Sequence, residues 1–126
     1  MKLRALFVCS ANFDRSPTAE RMFDNWNGKW ETKSAGIKHS ATHHIEQEDV
    51  DWADIILVME PYQGEYITNQ LNCSPDKVHS LDIKDNYDSH DPAELVELEK
   101  ELLKKAAPIL DMEEGSRQIS EKNAKF

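Results

Sequence analysis

Hydrophobic residues in this chain form short uninterrupted runs that alternate with stretches of helical spacing. Four segments predict β-strands: the largely apolar residues 3–8 and 54–59, and the more mixed residues 30–34 and 78–83. Uninterrupted apolar runs are typical of parallel strands that are buried on both faces. Helical spacing predicts helices over 16–27 and 61–71 and a long helix that opens at Asp91, whereas residues 38–50 lack clear periodicity. This alternation indicates an α/β fold with a parallel sheet and right-handed crossovers.

The end of the chain differs in character from the rest. The helix predicted from Asp91 carries apolar residues at Leu95, Leu98, Leu102, Ala106 and Leu110. From about Met112 onward the residues are charged and aperiodic. We therefore expect one domain over residues 1–111, followed by a polar C-terminal tail over residues 112–126 that is frayed or flexible. A chain of 126 residues is long enough for a single hydrophobic core.

Charge and hydropathy exclude several functions. With 24 acidic and 15 basic residues, the chain has a formal net charge of −9 and no basic run, so no nucleic-acid partner is expected. No apolar stretch approaches the roughly 18–20 residues that span a bilayer, so no membrane partner is expected. Met1 leads into the first strand without a signal-peptide pattern, and the two cysteines, Cys9 and Cys73, suit a reducing compartment. We expect a cytoplasmic protein; the sequence carries no signature of oligomeric state.

Candidate chemistry lies where the first strand meets the first helix. Cys9 and Arg15 are separated by five residues, and the helix opens at Ser16 and Pro17. Backbone N–H groups in such a loop and at the helix N-terminus converge and form a cradle for an anion. The positive field of the cradle favours the thiolate form of a cysteine at its base, and Arg15 can clamp a bound oxyanion in a bidentate way. The pattern predicts phosphoryl chemistry through cysteine.

Three of these residues also have plainer structural explanations. Cys9 could be a buried thiol at a strand end, although the strand before it and the helix after it favour a nucleophile. Ser16 could cap the helix, or its hydroxyl could turn toward the Cys9 sulfur. Asn12 tolerates a left-handed backbone, and its amide can brace the loop.

Several segments resemble the low-molecular-weight protein tyrosine phosphatases, most closely a compact bacterial subgroup. The segments are FVCSAN at 7–12, RSPTAE at 15–20, SAGI at 34–37, DWADIILVME at 51–60 and LDIKDNY at 81–87. The resemblance implies a doubly wound, four-stranded parallel sheet with strand order 2-1-3-4 and helices on both faces. It also implies hydrolysis of phosphate monoesters through a phosphocysteine intermediate, without metal or cofactor. The implied substrate is a phosphorylated protein, above all at phosphotyrosine, or a small aryl phosphate.

The resemblance places Cys9 as nucleophile and Arg15 as phosphate clamp. The implied phosphate site comprises Ser10, Ala11, Asn12, Phe13, Asp14, Arg15 and Ser16. Ala11 stands where the family often has Gly, and Asp14 where larger members frequently have a second cysteine. A carboxylate at position 14 would repel phosphate if it pointed inward, so we expect Asp14 to point outward.

Two aspartates are candidates for the general acid that protonates the leaving oxygen. Asp85 lies in a segment that resembles the family's acid loop, with Asn86 where proline is usual, and we favour it. Asp91 precedes Pro92, as the family's acid commonly does, but its sequence also fits a helix cap. Phe13 and Tyr87 are candidate aromatic walls for a flat substrate ring, or else partly exposed hydrophobic residues near a loop.

Other functions remain open at this stage. His39 and His43 could chelate a metal if their segment were helical, but no cysteine or carboxylate at zinc-like spacing supports a metal site, and none is expected. An arsenate reductase-like protein would need downstream thiols, and only Cys73 follows Cys9. A non-catalytic or weakly active phosphoanion-binding module would keep the cradle but lack an effective acid.

Overall fold

A four-stranded parallel sheet forms the centre of the fold in a computed structural model, which describes residues 2–124 and side chains through residue 117. Its strands are β1 (Leu3–Cys9), β2 (Trp30–Gly36), β3 (Ile55–Val58) and β4 (Val78–Ser80), in the spatial order β2-β1-β3-β4. β1 lies between β2 and β3, with Cys9 opposite Gly36 and Val8 opposite Val58. The predicted α/β class and strand order are confirmed.

Within the described residues, five α-helices accompany the strands: α1 (Arg15–Phe23), α2 (Gln47–Trp52), α3 (Pro61–Gln70), α4 (Pro92–Lys105) and α5 (Ala107–Ala124). Short 3₁₀ turns at Trp26–Gly28 and Pro75–Lys77 precede β2 and β4. α1 ends before the predicted residue 27 because Asn25 and Asn27 have φ of 63° and 54°. This left-handed backbone, which asparagine tolerates, cannot continue a right-handed helix.

Helix α2 lies where the pattern predicted little structure up to residue 50. At six residues it is too short to display a clear period, and capping rather than periodicity defines its start. The Glu46 side chain accepts a bond from the backbone N–H of Asp49, whose own carboxylate accepts one from the backbone N–H of Glu46 at 2.9 Å. β4 also differs from prediction, since it ends at Ser80 rather than residue 83; Asp82, with φ of 56°, interrupts the extended backbone.

The two faces of the sheet carry separate hydrophobic clusters. On one face, Phe7 packs with Phe23 of α1 and with Leu98 and Leu102 of α4. On the other face, residues of β1 and β3 pack with α2 and α3, including Leu6, Val8, Val50, Ile56 and Ile67. Neighbouring residues of β1 therefore face opposite cores, as expected for a strand buried on both sides.

The predicted long C-terminal helix is divided into α4 and α5 at Ala106. Pro108 explains the break, because it has no N–H to donate to the Lys104 carbonyl and its ring crowds that carbonyl. α5 then continues to Ala124, in contrast to the aperiodic tail expected from residue 112. Glu114 accepts a bond from the indole N–H of the fully buried Trp30 at 2.6 Å, which attaches this helix to the domain. Through residue 124, no helix combines the length and apolar character needed to cross a membrane.

Candidate active site

The loop between β1 and α1, here called the cradle loop (residues 10–14), has its backbone oriented by the segment after β2. The carbonyl oxygens of Cys9, Ser10 and Ala11 accept backbone hydrogen bonds of 3.0–3.1 Å from residues 37–42. These bonds turn three carbonyls away from the centre of the loop. Asn12 has φ of 53°, the left-handed position anticipated from its residue type. Such an arrangement leaves N–H groups of the loop directed toward the site above Cys9.

Gly36 allows the close approach of β2 to this loop. A Cβ atom at position 36 would lie 2.7 Å from the Ser10 carbonyl oxygen and 2.9 Å from the Asn12 nitrogen. It would also lie 2.7 Å from the Cβ of Ala41. Only glycine avoids these overlaps, so its lack of a side chain is a requirement of the cradle loop.

The Cys9 sulfur lies at the base of the cradle, and Cys9 as a whole is only 2% exposed. It is 2.9 Å from the Ser16 hydroxyl oxygen and accepts a bond of 3.2 Å from the Asn12 backbone N–H. The Asn12 side-chain amide donates to the Ser16 oxygen at 2.9 Å, so the Ser16 hydroxyl can donate its own proton to the sulfur. The other possible acceptor of that proton, the Ala35 carbonyl, is farther from the Ser16 oxygen, at 3.4 Å. The sulfur therefore lies within hydrogen-bond distance of two groups that can donate to it. Because α1 begins at Arg15, Ser16 is not its cap, and the sulfur contact is the orientation found.

Arg15 is buried, with 2% of its side chain exposed, and lies on the Cys9 pocket. Its Nη1 donates to the Glu60 carboxylate at 2.5 Å and to the Ile83 carbonyl at 2.8 Å. Among the described residues these hydrogen bonds involve Nη1 alone, and the carboxylate of Asp85 lies 3.7 Å from Nε. Nε and Nη2 therefore retain the planar pair of donors that a phosphate can accept.

One pocket of about 170 Å³ brings several predicted residues together: Cys9, Ala11, Phe13, Asp14, Arg15 and Asp85. Phe13 is 57% exposed and its ring lies 5.3 Å from that of His90, so it forms an aromatic edge of this pocket. Tyr87 instead packs against the core and borders a neighbouring cavity. Asp85 has 64% of its side chain exposed, so its carboxylate has room to turn.

Asp91 and Asp14 are both engaged in hydrogen bonds with the backbone. The Asp91 carboxylate accepts from the N–H groups of Ala93 and Glu94 at 2.9 and 3.2 Å and caps α4. It is not among the residues around the Cys9 pocket. The Asp14 carboxylate accepts from the backbone N–H and the hydroxyl of Ser89 at 2.9 and 2.6 Å. The Asp14 carboxylate oxygen therefore points toward the Ser89 donors.

Three residues that contact Arg15 or Ser10 were not predicted from the sequence: Glu60, Tyr62 and Gln63. Glu60 and Gln63 form a capping box at the start of α3, where the Gln63 side chain accepts from the Glu60 N–H at 2.9 Å. The fully buried Gln63 also donates to the Ser10 hydroxyl at 3.2 Å, and the Tyr62 hydroxyl bonds the same oxygen. The sequence did carry a signal for the start of this helix, because Glu60-Pro61 with Gln63 is typical of a helix N-terminus and follows the third strand directly.

The histidines do not assemble with carboxylates or thiols around one point. His43 pairs with Asp49 at 2.9 Å, while the ring of His39 stacks on that of His44 with centroids 4.6 Å apart. Residues 38–44 are not helical, so the spacing that could have let His39 and His43 chelate is not realised. Among the side chains described, which extend through residue 117, no group of three or more possible metal-ligating residues is present.

Cys73 lies away from Cys9, beyond the opposite edge of the sheet. Cys9 ends β1 at the carboxyl edge, whereas Cys73 precedes β4, at the amino edge of these parallel strands. Burial raises the pKa of the Cys73 thiol, and nearby Lys77 only partly opposes this effect. The placement gives no support to Cys73 as a thiol that resolves a disulfide with Cys9.

Comparisons with known proteins identify the fold. No family model and no curated protein match the chain. The YwlE arginine phosphatase from Geobacillus stearothermophilus matches over 90% of this chain and 96% of its own, at 24% identity and a TM-score of 0.67. Wzb from Vibrio vulnificus, in complex with benzylphosphonate, matches over 89% and 99%, at 19% identity and a TM-score of 0.70.

A third solved structure extends the comparison. The low-molecular-weight protein tyrosine phosphatase from T. tengcongensis matches over 82% of this chain and 99% of its own, at 24% identity and a TM-score of 0.58. The chain thus has the fold of the low-molecular-weight protein tyrosine phosphatases, in agreement with the resemblance seen in its motifs. At identities of 19–24%, these matches establish the fold and leave the chemistry to be argued from the site.

Proposed function

We propose that this chain is a cysteine-dependent phosphomonoesterase that works through a phosphocysteine intermediate. The observation that carries the proposal is the convergence of Cys9, Arg15 and Asp85 on one pocket of about 170 Å³. A thiol with two hydrogen-bond donors, a buried guanidinium and an exposed carboxylate are the nucleophile, charge clamp and proton donor that such a reaction needs. The shared fold is consistent with this chemistry.

In the first step the Cys9 thiolate attacks phosphorus, an S–P bond forms and the P–O ester bond breaks. Asp85, in its protonated form, gives its proton to the departing oxygen. In the second step the Asp85 carboxylate takes a proton from water, whose oxygen attacks phosphorus and breaks the S–P bond. Inorganic phosphate leaves and the thiolate returns, stabilised by the Ser16 hydroxyl at 2.9 Å. Arg15 stabilises the equatorial oxygens in both steps.

The substrate class that we favour is a phosphorylated protein side chain, with phosphotyrosine ahead of phosphoarginine. Phe13 supports this choice, because its exposed ring beside His90 offers an aromatic surface at the pocket edge. A phenol ring can pack against such a surface, which adds contact energy that a small alkyl phosphate lacks. YwlE, whose fold this chain shares, is an arginine phosphatase, so phosphoarginine is the comparison substrate.

The test measures hydrolysis of a phosphotyrosine peptide by wild type, Cys9→Ser, Asp85→Asn and Asp91→Asn. We expect Cys9→Ser to abolish turnover but still bind inorganic phosphate, and Asp85→Asn to lower kcat/KM by about 10²–10⁴-fold. Asp91→Asn is the matched control, because asparagine caps a helix about as well as aspartate and should leave activity within about twofold.

Specific outcomes separate this proposal from its alternatives. Full activity of Cys9→Ser would refute the mechanism, and a large loss in Asp91→Asn alone would move the acid to Asp91. Phosphate binding by wild type without turnover of any phosphorylated substrate would favour a non-catalytic phosphoanion-binding module. Faster turnover of phosphoarginine, whose phosphorus is bonded to nitrogen, than of the phosphotyrosine peptide would overturn the assignment as a phosphomonoesterase while retaining the phosphocysteine mechanism.

A further inference from the structure

Two adjacent residues hold the two ends of the segment that carries Asp85. We call residues 84–88 the acid loop. At its start, the Arg15 guanidinium donates to the Ile83 carbonyl at 2.8 Å. At its end, the Asp14 carboxylate accepts from the N–H and the hydroxyl of Ser89 at 2.9 and 2.6 Å. Asp14, at the end of the cradle loop, and Arg15, the first residue of α1, thus form hydrogen bonds to the residues on either side of the acid loop.

The Ser89 attachment joins the cradle loop to a turn that has hydrogen bonds of its own. The backbone N–H of Asp91 donates to the Asp88 carbonyl at 3.1 Å, and the N–H of His90 donates to the Asp88 carboxylate at 2.9 Å. Asp91 in turn caps α4. Because the bonds to Asp14 have a charged acceptor, they are stronger than neutral bonds. A shift of Asp14 would therefore move the end of the acid loop as well.

Between these two attachments the acid loop has little internal support. Around Asp85 its backbone has one hydrogen bond, from the Asn86 N–H to the Lys84 carbonyl at 3.0 Å; the other backbone bonds of the loop are at its end, where the Asp88 N–H donates to the Glu94 carboxylate at 3.3 Å and the Asp88 carbonyl accepts from Asp91. Asp85 is 64% exposed on its side chain and contacts Arg15 Nε only at 3.7 Å. The position of its carboxylate over the pocket therefore depends on how the ends of the loop are held.

We propose that Asp14 is a positioning residue that places the Asp85 loop over the Cys9 pocket through Ser89. The inference rests on the proposed function, in which Asp85 protonates the leaving oxygen. A carboxylate at position 14 would repel phosphate and so cannot bind it. Its oxygen instead accepts hydrogen bonds from Ser89, which is the contact through which it would position the loop. Asp14 acts on the leaving group through the loop and does not contact the reacting atoms.

The experiment compares two substrates that differ in their need for an acid. Phenolate leaves poorly without a proton, whereas 4-nitrophenolate is a stabilised anion that leaves without one, so kcat/KM on phenyl phosphate reports the acid. We expect Asp14→Ala to lower kcat/KM on phenyl phosphate by roughly tenfold or more while changing that on 4-nitrophenyl phosphate by less than about threefold. Asp85→Asn should show the same selectivity with a larger loss.

Rescue and a partner variant distinguish positioning from a general structural role. Asp14→Asn keeps a side-chain oxygen that can accept from Ser89 and should restore phenyl phosphate hydrolysis to within about threefold of wild type. Ser89→Ala removes one of the two bonds and should give a smaller selective loss. In Asp14→Ala, Ser89→Ala should have no further effect, because the two side chains act as one unit.

The contrary outcomes have distinct meanings. Equal losses on the two substrates in Asp14→Ala, or no loss on either, would overturn the positioning role while leaving the proposed function intact. Additive effects of the Asp14 and Ser89 variants would also overturn it. Failure of the wild type to hydrolyse either ester would overturn the proposed function, and the inference with it. Activity on 4-nitrophenyl phosphate shows in the same assay that each variant is folded.

Discussion

Gly36→Ala tests whether the cradle loop depends on its close contact with β2. The added methyl group would lie 2.7 Å from the Ser10 oxygen and 2.9 Å from the Asn12 nitrogen, both backbone atoms that cannot rotate aside. To reach an ordinary contact of 3.4 Å, the loop would have to move by about 0.5–0.7 Å relative to β2. This displacement acts on the part of the backbone proposed to hold phosphate.

The size of the effect follows from that displacement. Overpacking of this kind costs about 1–3 kcal/mol of unfolding free energy. At about 4 °C per kcal/mol for a chain of this size, we expect the Tm to fall by about 4–12 °C. A misplacement approaching 1 Å in a catalytic site can cost about 10²-fold in rate, so the smaller shift here should weaken phosphate binding and kcat/KM by about tenfold or more.

Thermal unfolding and calorimetric titration with inorganic phosphate measure the two effects. Gly115→Ala in α5 is the matched control, because a Cβ there meets nothing within 4 Å. That change should stabilise the helix by up to about 1 kcal/mol and leave phosphate binding unchanged. If Gly36→Ala bound phosphate as tightly as wild type, the argument that this contact orients the cradle would be refuted.

Three further variants probe the Cys73 thiol and the C-terminal helix. Because burial raises the pKa of Cys73, its alkylation should require higher pH than that of an ordinary exposed thiol. Cys73→Ser should keep the full proposed phosphatase activity, and loss of activity would imply a role in the reaction. Glu114→Ala leaves the buried Trp30 indole without its acceptor and should cost about 1–3 kcal/mol in denaturant unfolding. Glu113→Ala, which removes an i,i+4 pair, should cost less than about 0.5 kcal/mol, and equal losses would contradict the Trp30 contact.

The parts of the fold that sequence predicted are those encoded by local patterns. The apolar run before Cys9 identified β1, and the Ser16-Pro17 pair identified the start of α1 to within a residue. The Asp91 sequence fitted a cap, and the structure confirms that it caps α4. Each of these features is determined by residues that are near one another in the chain.

The features that sequence did not predict depend on contacts between distant segments. Nothing local to Glu60 indicates that its carboxylate meets Arg15, which is 45 positions away. The Asp14–Ser89 pair spans 75 positions and could be recognised only once β1 and β4 were placed in one sheet. α5 was underestimated for the same reason, because its polar residues gain partners such as Trp30 from the folded domain.

A net charge of −9 and the proposed phosphate site are compatible because two of the carboxylates near the cradle have specific hydrogen-bond donors, and a third, that of Asp85, lies 3.7 Å from Arg15 Nε. Glu60 accepts from Arg15 and Asp14 accepts from Ser89, so neither directs an unpaired charge at the pocket. The remaining attraction comes from the backbone N–H groups of the cradle loop and from the other Arg15 donors, which act over short distances. A distant phosphate dianion is therefore repelled rather than steered, and affinity must arise on contact. The orientation imposed on this loop by residues 36–42, more than the number of basic residues, determines whether the chain can hold phosphate.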